Sequence, residues 1–144
     1  MGDTKIGKLS GASVSSGIPD FIRDPIRPEK FGGRHQAHLA KAVGISQFGV
    51  NHVVLEPGMW SALRHWHECE DEFVYVLSGV VTLVDDNGKH VLEAGGFAGF
   101  PAGSSNAHHL VNESEQPAAY IAVGSRREHE TVHYPDDDLG PMKR

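Results

Sequence analysis

An all-β domain, either a sandwich or a small barrel, is the fold that this sequence predicts. Short runs rich in β-branched and aromatic residues recur along the chain, with Gly and Pro turns between them; that spacing is typical of such folds. Two of the runs flank Asn87-Gly88, and Asn-Gly is the strongest short hairpin signal. No periodic apolar run of about ten residues or more supports a long helix.

The chain is predicted to begin with a disordered lead-in over residues 1–17, which are rich in Gly, Ser and Lys. Residues 18–34 contain three prolines and should form an extended arm. Strands are then expected at 35–43, 46–55, 61–67, 72–78, 80–85, 89–93, 97–100, 107–112 and 118–124. Residues 18–125 are therefore assigned to one barrel domain with its arm, and the polar residues 126–144 to a surface tail.

Length, charge and cysteine content exclude several classes of protein. A chain of 144 residues is large enough for one domain with a single core. Its net charge of −6 argues against nucleic acid as a partner. It contains no apolar stretch long enough to span a membrane and no apolar signal-peptide core. One cysteine, Cys69, excludes an internal disulfide and agrees with a cytoplasmic location.

Two histidines and a carboxylate form the most informative cluster of the sequence. His65 and His67 are two residues apart, so on an extended segment their side chains project to the same face. Glu72 follows five positions later and can reach that face once the chain has turned. Imidazoles with a carboxylate suit Fe, Mn, Ni, Co or Zn. A pair of half-buried surface histidines beside an acidic loop is the simpler interpretation of these residues taken alone.

The wider spacing resembles the two motifs of the cupin superfamily, which read G-x5-HxH-x3,4-E-x6-G and G-x5-PxG-x2-H-x3-N. Gly58, the two histidines, Glu72 and Gly79 follow the first motif. The residues that correspond to the second motif are Gly95, Pro101, Gly103, His108 and Asn112. The resemblance extends over residues 46–124 and implies a double-stranded β-helix, or jelly-roll barrel, with a metal near its mouth.

The sequence departs from the family pattern at two places, and these leave the fourth ligand open. One extra residue separates Gly58 from His65, and Asn106 stands where the second motif has its histidine. Either His108 or His109 must then take that role. His108 keeps the three-residue spacing to Asn112 and is preferred, while His109 would lie on the opposite face of the strand.

The choice of carboxylate also depends on the resemblance. Asp71 and Glu72 both fit the permitted gap after His67, but only Glu72 is separated from Gly79 by the six residues that the motif requires. The predicted site is one divalent transition metal bound by His65, His67, Glu72 and His108, with water completing the shell. The identity of the metal is left open.

Other polar residues could contribute to the pocket. Gln47 and Asn51 lie on a strand expected to cross the barrel, and Tyr120 is a possible acid–base group. No Lys or Arg was expected among the lining residues, so the sequence favours a neutral or aromatic substrate with a carbonyl or phenol group. Phosphorylated substrates are correspondingly disfavoured.

The resemblance implies a metal-dependent enzyme acting on a small molecule, and cupins include oxygenases, isomerases, decarboxylases, lyases and polyketide cyclases. A non-enzymatic binding or sensing module that uses the metal as an anchor is the alternative. Phe73, Tyr75 and Leu77 alternate with Val74 and Val76, so one face of their strand is apolar and needs cover. Because cupins commonly dimerise, a homodimer built on this face is predicted.

Overall fold

The computed structural model describes residues 3–18, 27–137 and 139–143. Twelve strands account for most of the regular structure of these described residues. They are β1 Val14–Ser15, β2 Arg34–His38, β3 Phe48–Leu55, β4 Trp66–His67, β5 Glu72–Ser78, β6 Val80–Asp85, β7 Gly88–Glu93, β8 Phe97–Phe100, β9 His109–Val111, β10 Ala118–Ser125, β11 Thr131–His133 and β12 Met142–Lys143. The predicted all-β jelly-roll fold is confirmed.

The strands form three antiparallel sheets. The largest has six strands in the order β1-β2-β3-β10-β5-β8, and the others have the orders β7-β6-β9 and β12-β11-β4. The hairpin predicted around Asn87-Gly88 is present, with Asp85 paired to Gly88 at its end. Two isolated bridges, Trp60 with Val111 and His65 with His108, join the segment before β4 to the region of β9. This link places residues of both sequence motifs beside each other.

The main core lies between the sheets. It contains nine buried residues, namely Val53, Leu55, Val74, Val76, Val81, Leu83, Leu110, Ala118 and Tyr120. The inward position of Val74 and Val76 confirms the alternation predicted for β5. Phe73, Tyr75 and Leu77 lie on the opposite face and remain 38–44% exposed.

Tight turns between the strands depend on glycine at one motif position in particular. Gly79 joins β5 to β6 with φ +74°, and a Cβ there would lie 2.6 Å from the carbonyl oxygen of Pro117. An L side chain is disfavoured both by the left-handed backbone and by this contact. The motif glycine is therefore required by the fold itself.

One predicted strand is partly helical. The strand expected at 35–43 ends at His38, and a short helix, α1 Leu39–Ala42, follows it. Leu, Ala and Lys are among the strongest helix formers, and no β-branched residue lies within these four positions. Residues 19–26 of the predicted arm lie outside the described residues, while Pro28–Lys30 form a 3-10 turn.

Both predicted terminal segments contain more structure than the sequence indicated. Residues of the supposed lead-in form β1, which pairs with β2. In the supposed surface tail, β11 pairs with β4, and Glu130 and Val132 are buried. The hydrophilic composition of residues 126–144 did not indicate this pairing and burial, because only one carboxylate and one valine make the buried contacts. The domain boundaries themselves stay a prediction. Across the described residues, no helix has the length and apolar character needed to cross a membrane.

Candidate metal centre

Four side chains from separate parts of the chain meet at one end of the barrel. His65 forms the bridge with His108, His67 is the second residue of β4, and Glu72 is the first residue of β5. The antiparallel bridge brings the two sequence motifs together, since His65 and His108 exchange both backbone hydrogen bonds, at 3.1 and 2.9 Å. The structure therefore brings together all four predicted metal ligands. Their role as ligands stays a prediction.

The imidazole nitrogens converge on a single carboxylate oxygen. Glu72 Oε1 lies 3.3 Å from His65 Nε2, 2.9 Å from His67 Nε2 and 3.0 Å from His108 Nε2. Despite these distances, the buried Oε1 makes no hydrogen bond of acceptable geometry with any described residue. Glu72 Oε1 is therefore a buried acceptor without a hydrogen-bond partner among the described residues, and three imidazole nitrogens surround it. A cation bound by these four atoms would satisfy it.

The donor types fit a divalent transition metal. His65, His67 and Glu72 offer ligand atoms that all lie within 4.8 Å of one another. His108 is not part of that tightest group, although its Nε2 is in contact with the same carboxylate oxygen. Neutral imidazole and carboxylate are ligands shared by Fe, Mn, Co, Ni and Zn, so the donor set does not select among them.

Neighbouring groups fix the orientation of the imidazoles. His65 Nδ1 lies 2.7 Å from the carbonyl oxygen of Leu63, so Nδ1 carries the proton and Nε2 presents its lone pair to the site. The ring of His108 stacks on Phe100 with a centroid distance of 3.6 Å and an interplanar angle of 3°. His67 Nδ1 lies 3.8 Å from one carboxylate oxygen each of Glu70 and Glu130, which is too far for a hydrogen bond, so these two acids act on His67 only through their charge. Metal-binding histidines are commonly oriented by such outer contacts.

Burial and mutual contact shift the pKa values at the site. Burial raises the pKa of Glu72, but its close contacts with the three imidazoles, that with His65 above all, outweigh this effect and hold that pKa well below its ordinary value. Burial lowers the pKa of His108, against the opposing effect of Glu72. Both directions favour the deprotonated forms that bind metals.

His109 points away from this cluster. Its Nδ1 lies 2.8 Å from the carbonyl oxygen of Ala62, and its ring packs edge-on against Trp60 at 4.7 Å. Burial is the main effect that lowers the pKa of His109, to about 4. The side chain is therefore a neutral, buried part of the packing layer, in agreement with the opposite-face position inferred from strand alternation.

Asn106, which replaces the motif histidine, supports the hairpin instead of the site. Its Oδ1 accepts a hydrogen bond of 2.7 Å from the Asp86 N–H, and its Nδ2 donates to Asp85 at 3.2 Å. Asn112, the last motif residue, is fully buried and donates to the carbonyls of Leu55 and Gln116. Its contribution is to hold the strands together.

Two cavities border the cluster, and His67 and Glu72 line both. The smaller, of about 120 Å³, also contains Trp66, Asn106 and His108. The larger, of about 340 Å³, falls in the range of small-molecule sites. The cluster is therefore accessible to a small ligand and is not sealed as a purely structural metal site would be.

The lining of the larger cavity differs from the expected one. Asn51 lines it, as predicted, whereas Gln47 does not, and its carbonyl accepts a hydrogen bond from Arg126 at the cavity edge. Tyr120 is buried behind the wall in contact with Arg34. Arg34, Arg126 and Lys143 all line the cavity. The expectation that no Lys or Arg lines the pocket is thus wrong. It was based only on residues near the two motifs, whereas these three cations come from other parts of the chain.

Sequence reasoning also missed Glu70 and Glu130. Glu70 lies in the acidic segment after His67, and a run of charges normally predicts a solvated turn, yet Glu70 is 3% exposed and lines the larger cavity. Glu130 lies in the supposed tail, yet its carboxylate accepts hydrogen bonds from the N–H groups of Glu68 and Cys69. No local sequence signal distinguishes either residue from a surface acid, since their burial depends on the pairing of β11 with β4.

Comparison with known proteins identifies the family. A protein-family model described as a cupin domain matches residues 51–124, which is more than half of the chain. The chain belongs to the cupin superfamily. A search of the curated proteins returned no match.

Solved cupin structures extend the similarity beyond the matched domain. A protein from Silicibacter pomeroyi, named as a sugar phosphate isomerase, is 38% identical, with a TM-score of 0.80 over 95% of this chain and 90% of that one. A candidate sugar phosphate isomerase from Acidithiobacillus ferrooxidans is 33% identical, with a TM-score of 0.73 over 77% of this chain and 70% of that one. The polyketide cyclase RemF from Streptomyces resistomycificus, 20% identical with a TM-score of 0.66 over 85% and 80%, shares the fold.

Proposed function

We propose that this cupin is a metal-dependent isomerase acting on a small hydroxy-carbonyl compound. The observation that carries the proposal is the convergence of three imidazole nitrogens on Glu72 Oε1 at the wall of an open cavity of about 340 Å³. The names of the two more similar structures, both sugar phosphate isomerases, support the reaction class. A bound divalent metal would supply Lewis acidity that polarises the substrate carbonyl.

The four predicted ligands have distinct roles in this proposal. His65 and His67 present their Nε2 atoms from one segment, and His108 presents its Nε2 from the facing one. Glu72 supplies one negative charge, which partly neutralises the cation. Its low pKa keeps it ionised at neutral pH. The metal position stays accessible from the cavity, as catalysis requires.

We assign proton transfer to Glu70. An isomerisation of this class removes a proton from the hydroxyl-bearing carbon next to the carbonyl and returns it to the former carbonyl carbon, while the hydroxyl proton moves to the former carbonyl oxygen. It therefore needs a base and no oxidant. Glu70 is a carboxylate of the larger cavity outside the four predicted ligands. A hydrogen bond of 2.9 Å from the Arg127 N–H to Oε2 fixes its side chain.

Deuterium exchange tests both the reaction and the base. The purified protein is incubated in D2O with aldoses and ketoses, free and phosphorylated, and NMR follows deuterium entering the carbons beside the carbonyl. Glu70→Gln should reduce this exchange by about a hundredfold or more, the range typical of a lost general base. The metal is supplied in excess, because Glu70, like Glu130, lies 3.8 Å from His67 Nδ1 and its loss should also weaken metal binding. Glu68→Gln is the matched control, since Glu68 belongs to the same acidic segment but its carboxylate bonds to His133.

Different outcomes would point to other functions. Oxygen consumption with an iron-loaded protein would indicate an oxygenase. Tight binding of a compound without exchange or turnover would indicate the metal-anchored binding module. Exchange that survives in Glu70→Gln but is lost in His65→Ala would keep the isomerase and refute the role of Glu70.

We also propose that the protein is a homodimer built on the outer face of β5. Phe73, Tyr75 and Leu77 are 38%, 41% and 44% exposed there, and Phe97 on the adjacent β8 is 65% exposed. Phe73 and Phe97 pack with a ring-centroid distance of 6.0 Å, which makes the patch continuous across both strands. Apolar faces of this kind commonly mark interfaces.

A further inference from the structure

Arg34 is a buried cation in the wall of the larger cavity. It is the first residue of β2, is 8% exposed, and shares the cavity lining with His65 and Glu72. None of the metal-site geometry described above uses it. Its position suggests a role toward whatever occupies the cavity.

The contacts of the Arg34 guanidinium involve only neutral groups. Nε donates to the carbonyl oxygen of Ser61 at 2.6 Å, NH1 donates to the carbonyl of Ser16, and the Tyr120 hydroxyl accepts a further hydrogen bond. Within the part of the chain that the structure describes, no carboxylate forms a salt bridge with Arg34. Since a guanidinium has five N–H donors, the remaining ones stay available to a ligand.

Two other arginines of the domain, Arg64 and Arg27, do have counter-ions. Arg64 pairs with Asp86 and Asp136, and Arg27 pairs with Asp137. Burial lowers the pKa of Arg34, an effect that Tyr120 opposes, but arginine stays protonated in proteins. A buried charge is costly without a counter-ion, and the described residues supply none to Arg34, so we infer that an anion completes the site.

The chain approaches this guanidinium closely at Gly17, an exposed residue that also lines the cavity. Gly17 has φ +73°, and a Cβ there would lie 2.3 Å from Arg34 NH1. Together with the bond to Ser16, this close approach fixes the orientation of the guanidinium. A rigid planar fork binds phosphate or carboxylate oxygens in pairs more favourably than a flexible ammonium does.

We propose that Arg34 is the anion-binding residue of the cavity and holds the phosphate or carboxylate group of the substrate while its carbonyl end reaches the histidine cluster. The inference rests on the proposed function in naming a substrate, but the oxyanion site itself is defined by Arg34 alone. Arg126 and Lys143, which also line the cavity, lie near its mouth and attract anions to it. These cations line the same cavity although the net charge of the whole chain is −6.

Binding of simple oxyanions to the full-length protein tests the proposal. Inorganic phosphate and acetate are titrated separately by calorimetry, and glycerol serves as the neutral probe. Arg34→Met, which removes the charge at similar length, should weaken the binding of the preferred anion by about tenfold or more, the usual effect of a lost charged hydrogen bond. The affinity of Arg34→Lys for the same anion should fall between those of the wild-type protein and of Arg34→Met. The preferred anion then distinguishes a phosphate from a carboxylate substrate.

Arg127→Met is the matched control, because it removes the same charge from an exposed position outside the cavity lining. It should bind the anion as the wild-type protein does. Circular dichroism verifies the fold of each variant, and if Arg34→Met does not fold, Arg34→Lys and stabilisation of the wild-type protein by the anion carry the test. Wild-type protein that binds neither anion, or an Arg34 variant that binds with full affinity, would overturn the proposal.

The result is separable from that of the proposed function. Turnover of neutral hydroxy-carbonyl compounds without any effect of Arg34 would refute the anion site and leave the isomerase intact. Anion binding that depends on Arg34 in a protein that holds no metal would support the site and refute the metal-dependent isomerase.

Discussion

Replacing His109 by glutamine should remove a pH-dependent contribution to stability without affecting the metal site. His109 is 6% exposed, and its Nδ1–H donates to the carbonyl of Ala62 at 2.8 Å. Its pKa of about 4 in the folded protein compares with about 6.5 in an unfolded chain. Burial without a counter-charge close enough to compensate is the main cause.

The direction and size of the effect follow from proton linkage. Between pH 6.5 and pH 4 the unfolded chain binds more protons at His109 than the folded protein does, so the free energy of unfolding falls as the pH falls through this window. At about 1.4 kcal/mol per pH unit, the difference between the two pKa values corresponds to a total loss of about 3 kcal/mol. Above pH 6.5 the contribution of His109 no longer changes with pH.

Urea denaturation monitored by tryptophan fluorescence measures this contribution. Near neutral pH, His109→Gln should be less stable than the wild-type protein by about 1 kcal/mol, because the hydrogen bond to Ala62 is weakened. At pH 4 the order should be reversed, since glutamine does not titrate. Both proteins are measured with chelator present, so that metal binding does not contribute. A stability difference that stays constant between pH 7 and pH 4 would refute the assignment of His109 as a buried neutral residue.

Three further substitutions probe the surroundings of the site, the core and the outer face. Glu130→Gln should weaken metal binding by about tenfold, because it removes a buried charge near His67 Nδ1; competition with a chromogenic chelator measures it. Asn112→Ala should lower the free energy of unfolding by about 2–4 kcal/mol, because the carbonyl of Leu55 loses its buried donor. Tyr75→Glu should yield a particle of 15.6 kDa by light scattering, against twice that mass for the wild-type protein.

Each of these has a result that would contradict it. Unchanged metal affinity in Glu130→Gln would show that the carboxylate is only structural. A loss below about 1 kcal/mol in Asn112→Ala would show that water replaces the amide. A wild-type mass of a single chain at micromolar concentration would exclude the dimer.

The fold was predictable because its signals are local. Strand alternation, the Asn87-Gly88 turn and motif glycines such as Gly79 act within a few residues of each other, and most observed strands from Phe48 to Ser125 follow them closely. Two predicted strands are much shorter than expected. The strand predicted at 35–43 ends at the helix Leu39–Ala42, where helix propensity was stronger than the strand pattern, and the strand predicted at 61–67 is reduced to Trp66–His67.

The metal cluster was predictable only through motif spacing. Local sequence does not indicate that His108 faces His65, because their bridge joins segments more than forty residues apart. Strand alternation did separate His108 from His109 correctly, since the two side chains lie on opposite faces. Arg34 and Glu130 could not have been placed at the site, because long-range pairing of β2 and β11 brings them there.

Binding of one divalent transition metal by His65, His67, Glu72 and His108 is tested most directly by elemental analysis of the purified protein and its variants. The wild-type protein and His109→Gln should each contain one equivalent of metal per chain. His65→Ala and His67→Ala should lose it while remaining folded, and His108→Ala should bind it more weakly than His109→Gln does. Metal-free wild-type protein that takes up no ion on titration, or loss of metal in His109→Gln but not in His108→Ala, would contradict the assignment.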